Sequence, residues 1–127
     1  MVTDRVGDFI IRLQNAAMVS KREVTVPRSG HLLAIAKKLR ELGFLESVED
    51  GERILHVTLA FDERGRPRLQ GVKRLSKPGR RLYAGHQAAH QVKGGIGARI
   101  LSSSEGIVTD AQARRDRLGG EALFEIW

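Results

Sequence analysis

Apolar residues recur every three to four positions in two stretches of the first half of the chain, which is the spacing of one helix face. The first stretch follows Thr3 and Asp4, either of which is suited to cap a helix, and its apolar members are Val6, Phe9, Ile10, Leu13 and Ala17. The second follows Ser29, another capping residue, and ends at Gly43; its apolar members are Leu32, Ile35, Ala36, Leu39 and Leu42. The pattern therefore predicts two amphipathic helices.

Shorter apolar runs predict the strands. In the first half these are residues 23–26, closed by Pro27, and the runs 44–48 and 54–61, which the acidic turn 49–52 joins as a hairpin. Because this turn is acidic, we expect it to face away from any polyanionic partner. In the second half the predicted strands are residues 69–75, 96–101 and 107–109; a short basic helix follows, and Gly119–Glu121 leads into a last strand that ends at Trp127.

Between the two halves, residues 62–68 (DERGRPR) are polar and lack bulky apolar side chains, which marks them as a candidate boundary. Charge changes at the same place. Residues 1–62 contain nine basic and nine acidic residues, whereas thirteen basic and six acidic residues follow and carry the whole net charge of +7. We therefore expect an α+β protein in two parts, an α/β domain over residues 1–62, with helices packed on a small sheet, and a mainly β domain with short helices over residues 63–127.

The composition narrows the function classes. The chain has no cysteine, which excludes disulfides and cysteine zinc sites, and a sequence pI near 10.5, which favours a polyanion partner, although a merely soluble basic surface would also allow it. No apolar run approaches the length of a membrane span and no signal-peptide core is present, so we expect a cytoplasmic protein without a membrane partner.

A run of small hydroxyl residues, Ser102, Ser103 and Ser104, is predicted to break the strand of residues 96–101, and Gly106 follows after one further residue. Such a turn presents hydroxyls and backbone amides to phosphate and ribose oxygens, and a glycine allows close backbone approach. A plain serine-rich hairpin is the competing interpretation. A second glycine turn and the neighbouring arginines, which include Arg114 and Arg115, favour nucleic acid.

Five basic residues fall within nine positions of the second half and provide an electrostatic footprint for RNA; they are Lys73, Arg74, Lys77, Arg80 and Arg81. Tyr83, the single tyrosine, is either a half-buried strand aromatic or a platform on which a base stacks. In the first helix, Arg12 and Asn15 are three positions apart and share a face, which either contacts a phosphate or is simply solvated.

No pattern in the chain predicts catalysis, a metal or a cofactor. His86 and His90 have helical spacing but no third ligand, and the GGIG sequence at residues 94–97 lacks the lysine of a phosphate loop, so it predicts a turn. A nucleophile elbow, a carboxylate pair and a ligand cluster are all missing. We therefore expect no enzyme and no small-molecule substrate; a small hydrolase stays the least favoured hypothesis.

Toward the carboxyl end, strands alternate with the motifs SSS, EG, TDAQAR and GGE, and a tryptophan comes last. This order of motifs resembles that of the eighth protein of the bacterial small ribosomal subunit, the S-eight family. Residues 3–16 (TDRVGDFIIRLQNA) are similar to the opening helix of that family and residues 71–83 (GVKRLSKPGRRLY) to its central motif. The resemblance covers the whole chain without large gaps. Two departures are Gln14, where the family usually has arginine, and Glu105, where it commonly has lysine.

The resemblance implies a primary rRNA-binding protein that docks on an irregular helix in the central domain of small-subunit rRNA and helps assemble the platform, beside the fifth and twelfth small-subunit proteins. It implies RNA contacts at Tyr83, the serine run and Glu121. The Glu121 carboxylate would accept from a base amine or a 2′-hydroxyl, orient an arginine, or pair with an arginine of the preceding helix. The alternative is a free-standing RNA-binding translational regulator, and the family also represses its own messenger RNA in many bacteria.

Overall fold

The computed structural model describes residues 4–84 and 97–127, and it confirms an α+β fold. The elements are α1 (Arg5–Met18), β1 (Glu23–Pro27), α2 (Gly30–Glu41), β2 (Leu45–Asp50), β3 (Ile54–Leu59), β4 (Val72–Arg74), β5 (Tyr83–Ala84), β6 (Ala98–Ser103), β7 (Gly106–Thr109), α3 (Asp110–Asp116) and β8 (Gly120–Ile126). The two histidines at positions 86 and 90, and most of the predicted glycine turn at 94–97, lie outside the described residues.

The chain divides into two compact units. We call Asp8–Gln70 the N-terminal unit and Met1–Gly7 with Gly71–Trp127 the C-terminal unit. Residues 62–68 belong to the former, where the Arg68 N–H donates to the Ala60 carbonyl at 2.9 Å. By this division the C-terminal unit has eleven basic and six acidic residues, and the N-terminal unit eleven and nine. As a boundary between independently folding domains, the division after residue 62 stays a prediction.

The N-terminal unit contains an antiparallel sheet in the order β1-β3-β2. The predicted helices form because their apolar stripes are buried, with Phe9, Leu13, Ile35 and Leu39 fully enclosed. Ser29 caps α2 as predicted by accepting from the Leu32 N–H at 3.0 Å. The prediction that Leu42 is buried is wrong. Leu42 is 38% exposed because it lies at the C-cap, beyond the last turn of α2.

The C-terminal unit contains an antiparallel sheet in the order β4-β8-β6-β7, with β5 also paired to β8. Helix α3 packs on β6 and β7 through a small apolar cluster of Leu101, Val108 and Ala113. Two predicted strands of this unit differ notably from the observed ones. The run 69–75 is a regular strand only over β4, and β6 continues through Ser103 because Ser102 and Ser103 pair with both β7 and β8.

Candidate nucleic-acid interface

Ser102–Gly106, which we call the serine corner, joins β6 to β7 by a tight turn. The Ser103 hydroxyl is used within this turn, since it accepts from the Glu105 N–H at 3.1 Å and donates to the Gly106 carbonyl at 2.9 Å. Gly106 has φ +103°, a conformation that side-chain-bearing residues rarely adopt. Ser104 is exposed, and its hydroxyl makes no hydrogen bond within the described ranges. Ser103 and Ser104 therefore have different environments, which their adjacency in the sequence does not indicate.

Three strands bring Tyr83, Glu121 and Ser102 into one row across the sheet. Glu121 on β8 lies opposite Ser102 on β6 and, on its other side, opposite Tyr83 on β5. Directly opposed residues of antiparallel strands project from the same face, so these three side chains are neighbours. The interpretation of Tyr83 as a half-buried aromatic is wrong, because the residue is 76% exposed. The row therefore places an exposed aromatic ring, a carboxylate and a hydroxyl side by side.

The carboxylate in this row is paired with an arginine. Glu121 Oε2 lies 3.0 Å from Arg81 Nη1, and this hydrogen bond is the largest cause that raises the pKa of the Arg81 guanidinium above its usual value. The Glu121 side chain is 16% exposed and the Arg81 side chain 54%. The ion-pair partner of Glu121 is thus Arg81, which precedes β5, and not an arginine of α3 as one alternative had it.

The basic residues of β4 and of the turn that follows it divide into two groups. Lys73, Lys77 and Arg80 are exposed, and reciprocal backbone hydrogen bonds between Lys77 and Arg80, at 3.0 and 2.9 Å, close the turn that carries the last two. Arg74 is different, because its side chain is only 17% exposed, pairs with Asp4 and donates to the Ser76 carbonyl. Arg74 therefore makes contacts within the C-terminal unit, whereas the other three side chains face solvent.

Helix α3 carries the other candidate cations. Thr109 and Gln112 form a capping box, with reciprocal side-chain to backbone hydrogen bonds at 3.0 and 3.2 Å. Arg114 and Arg115 are both exposed, and Arg115 pairs with Asp116 at 3.2 Å. Because α3 packs on β6 and β7, these arginines belong to the same part of the unit as the serine corner.

Arg12 and Asn15 lie in the N-terminal unit, and both are exposed. Arg12 pairs with Asp8 at 3.0 Å and donates to the Thr25 carbonyl at 3.1 Å. Arg12 and Asn15 line a pocket of about 370 Å³, with Lys21 among the other lining residues. The shared face predicted from their spacing is therefore present, and a cation and an amide border a concave surface.

Among the residues with described positions, no three histidine, cysteine, aspartate or glutamate side chains are grouped so as to hold a metal ion. In the same ranges no helix has both the length and the apolar character needed to span a bilayer. What the C-terminal unit does assemble is an exposed ring, hydroxyls, an ion-paired carboxylate and exposed cations on one small sheet. An exposed ring and hydroxyls are chemically suited to stack on and hydrogen-bond to a nucleic acid.

Comparison with known proteins identifies the family. A family model described as ribosomal protein S8 matches residues 4–127. The chain belongs to the ribosomal protein S8 family. Small ribosomal subunit protein uS8 of Nitratidesulfovibrio vulgaris strain Miyazaki F is 41% identical, that of Endomicrobium trichonymphae 37%, and that of Desulforudis audaxviator 39%; each comparison covers 100% of both chains.

Membership of the S8 family confirms several expectations from the sequence. The resemblance drawn from the serine run, the opening helix and the central motif is correct. The S8 family consists of ribosomal proteins, so the chain is a non-enzymatic ribosomal protein, and the hydrolase hypothesis is set aside. A ribosomal protein is ribosome-associated, which agrees with the expected cytoplasmic location.

Sequence reasoning missed two residues that shape the site of this S8 protein. Ser76, predicted only as a turn residue, is 1% exposed and bonds to both backbone groups of Leu82. Asp4, predicted only as a helix cap, also pairs with Arg74. Both roles depend on partners in other elements, so local spacing carries no signal for either.

Proposed function

We propose that this ribosomal protein is a structural constituent of the small subunit and a primary rRNA-binding protein, which binds the central domain of small-subunit rRNA and helps to assemble the platform. Family membership supports the first part of the proposal. The observation that carries the RNA-binding part is the row of Tyr83, Glu121 and Ser102, with the exposed Ser104 at the end of the same strand pair.

The chemistry of this row suits an irregular RNA better than a regular duplex. An aromatic ring that is 76% exposed offers a stacking surface to an unpaired base, and each stacked base contributes about 1–3 kcal/mol. Serine hydroxyls hydrogen-bond ribose, phosphate or base edges without requiring a particular sequence. Distorted and unpaired nucleotides are the part of RNA that exposes base faces and edges together, so we propose them as the target of the row.

The exposed cations provide attraction to the phosphate backbone. Lys73, Lys77, Arg80, Arg114 and Arg115 are all exposed in the unit that contains the row. We propose that these residues contact phosphates on either side of the recognised nucleotides, and that Arg12 and Asn15 make a separate backbone contact from the N-terminal unit. Neighbouring small-subunit proteins, the fifth and twelfth, are the proposed protein partners.

Cosedimentation with small subunits through a salt wash tests the ribosomal assignment, and a footprint on central-domain rRNA tests the RNA site. Protein that stays at the top of the gradient at modest salt would instead favour a free-standing regulator. The double variant Lys77→Ala/Arg80→Ala should lower the salt slope of rRNA binding by roughly 0.7–0.9 for each phosphate that the protein no longer neutralises. The matched control is Lys37→Ala/Arg40→Ala, which removes two exposed cations of α2 in the N-terminal unit; an equal decrease there would contradict the proposed site.

A further inference from the structure

We propose that Arg81 is a positioning residue for RNA recognition: it neutralises and orients the Glu121 carboxylate so that this carboxylate accepts a hydrogen bond from a 2′-hydroxyl or a base amine. The inference rests on the proposed function and deepens it. It assigns Arg81 a role that differs from that of the exposed cations beside it.

The backbone around Glu121 is held on both sides, which fixes where the carboxylate emerges. Its strand β8 is paired to β6 at Ser102 and to β5 at Tyr83. The side chain is 16% exposed, so it has little freedom to reorient. Glu121 therefore stands at a defined place between a hydroxyl and an aromatic ring, where an RNA ribose or base would lie.

The ion pair occupies one carboxylate oxygen. Arg81 Nη1 donates to Oε2 at 3.0 Å, and the described residues provide no hydrogen-bond partner for Oε1. A carboxylate has about four lone-pair directions, so a single donor leaves acceptor capacity for a ligand. The arrangement therefore fixes the rotation of the group through one oxygen and leaves the other for an RNA donor.

Charge explains why a cation is needed at this position. An unpaired carboxylate on an RNA-binding surface is repelled by phosphates, and a neighbouring guanidinium cancels that repulsion. Lys77 and Arg80, which precede Arg81, are exposed and form no ion pair within the part of the chain that the structure describes. Of these three cations, Arg81 is the one with a carboxylate partner, so its removal has a second consequence that removal of the other two lacks.

A double-mutant cycle on binding to a central-domain rRNA fragment tests the inference, with Arg81→Gln, Glu121→Gln and the double variant measured over a range of salt. A hydrogen bond to a charged group is worth about a factor of ten or more in affinity, so Arg81→Gln should weaken binding at least about tenfold. Adding Glu121→Gln should restore part of that affinity, because the uncompensated charge is removed. Arg81→Lys, which keeps the charge, should bind with intermediate affinity.

Each alternative result has a distinct meaning. If the effects of the two single substitutions simply multiply in the double variant, Arg81 acts as an independent phosphate contact and the inference is overturned. Arg81→Met, which also removes the charge, serves in place of Arg81→Gln if the latter fails to reach the wild-type circular dichroism spectrum, and the same cycle applies. Failure of the wild-type protein to bind the fragment would overturn the proposed function itself, which separates that outcome from an absence of coupling.

Discussion

The hydroxyl of Ser76 is bonded to both backbone groups of Leu82: it accepts from the Leu82 N–H at 2.8 Å and donates to the Leu82 carbonyl at 3.3 Å. The same carbonyl accepts from the Ala122 N–H of β8 at 2.8 Å. Residues 77–81, which carry Lys77, Arg80 and Arg81, are thus closed by the hydrogen bonds of a buried serine to Leu82. Tyr83 follows immediately, so its position depends on this closure.

Ser76→Ala should therefore lower the free energy of unfolding by about 1–3 kcal/mol, because the buried Ser76 hydroxyl makes two hydrogen bonds to Leu82 and both are lost. Urea denaturation measures the change. The matched control is Ser104→Ala, an exposed serine whose replacement should stay within about 0.5 kcal/mol of wild type. Equal midpoints for the two variants would show that the Ser76 hydroxyl contributes nothing to the closure.

The helices and the family could be predicted from the sequence because their signals are local. The apolar spacing that buries Phe9 and Leu13, and the cap at Ser29, depend on residues within one or two turns. The residue at which β6 ends could not be predicted from such local signals. Serine is a common turn residue, and only pairing with β7 and β8 keeps Ser102 and Ser103 in the strand.

The composition of the site was also predictable, but its arrangement was not. The serine run, Tyr83 and the basic residues stand out in the sequence, whereas the Arg81–Glu121 pair joins positions separated by 40 residues. Which arginine reaches Glu121 depends on the register of β5 against β8. Similarly, nothing near Arg74 in the sequence shows that it is turned inward onto Asp4.

The Asp4–Arg74 pair should make stability depend on pH. The hydrogen bond from Arg74 is the largest cause that holds the pKa of the Asp4 carboxyl below its usual 3.8. Since the folded-state pKa is the lower one, the stabilisation is complete above the unfolded value and is lost as pH falls through the folded value. Asp4→Asn keeps an oxygen that can accept from the Gly7 N–H. The difference in stability between this variant and wild type therefore measures the contribution of the negative charge.

We expect wild type to be more stable than Asp4→Asn near neutral pH, with the difference shrinking as pH falls below about 4 and vanishing below the lowered folded-state pKa of Asp4. Urea midpoints measured at successive pH values give this difference directly. A gap that persists unchanged to the lowest pH would mean that Asp4 stabilises the fold by something other than its charge.

Gly120 is required by a close approach of two strands. A Cβ atom at this position would lie 2.9 Å from the Ser102 carbonyl carbon and 3.1 Å from Ser103 Cα, and closer still to the Ser102 carbonyl oxygen. These are backbone atoms, so β6 and β8 would have to separate. Gly120→Ala should cost about 1–3 kcal/mol of stability and weaken rRNA binding, because the strands that carry the row move apart.

Gly30→Ala is the control for Gly120→Ala. Gly30 is the first residue of α2, and a Cβ there meets nothing within 4 Å. Alanine is the better helix former by up to about 1 kcal/mol, so stability should be unchanged or slightly raised. Similar destabilisation by both variants in thermal melts would contradict the close-approach explanation.

The exposed turn of the serine corner offers a test that leaves the fold intact. Ser104→Leu should reduce affinity for central-domain rRNA while the thermal melt stays nearly unchanged, because Ser104 is exposed and its hydroxyl bonds to nothing in the described ranges. Glu105→Lys, at the other turn position, should strengthen binding at low salt, because it replaces a negative charge by a positive one. If Ser104→Leu binds as wild type does, the corner does not contact RNA.

Tyr83 allows stacking to be separated from hydrogen bonding. Because the residue is 76% exposed, Tyr83→Ala should change stability little and yet weaken rRNA binding by about 1–3 kcal/mol if a base lies on the ring. Tyr83→Phe is the matched control: it keeps the ring and removes the hydroxyl, so it should retain most of the affinity. Fluorescence titration with the rRNA fragment measures both variants. Equal weakening by Phe and Ala would assign the contribution to the hydroxyl, and wild-type affinity in both would remove Tyr83 from the interface.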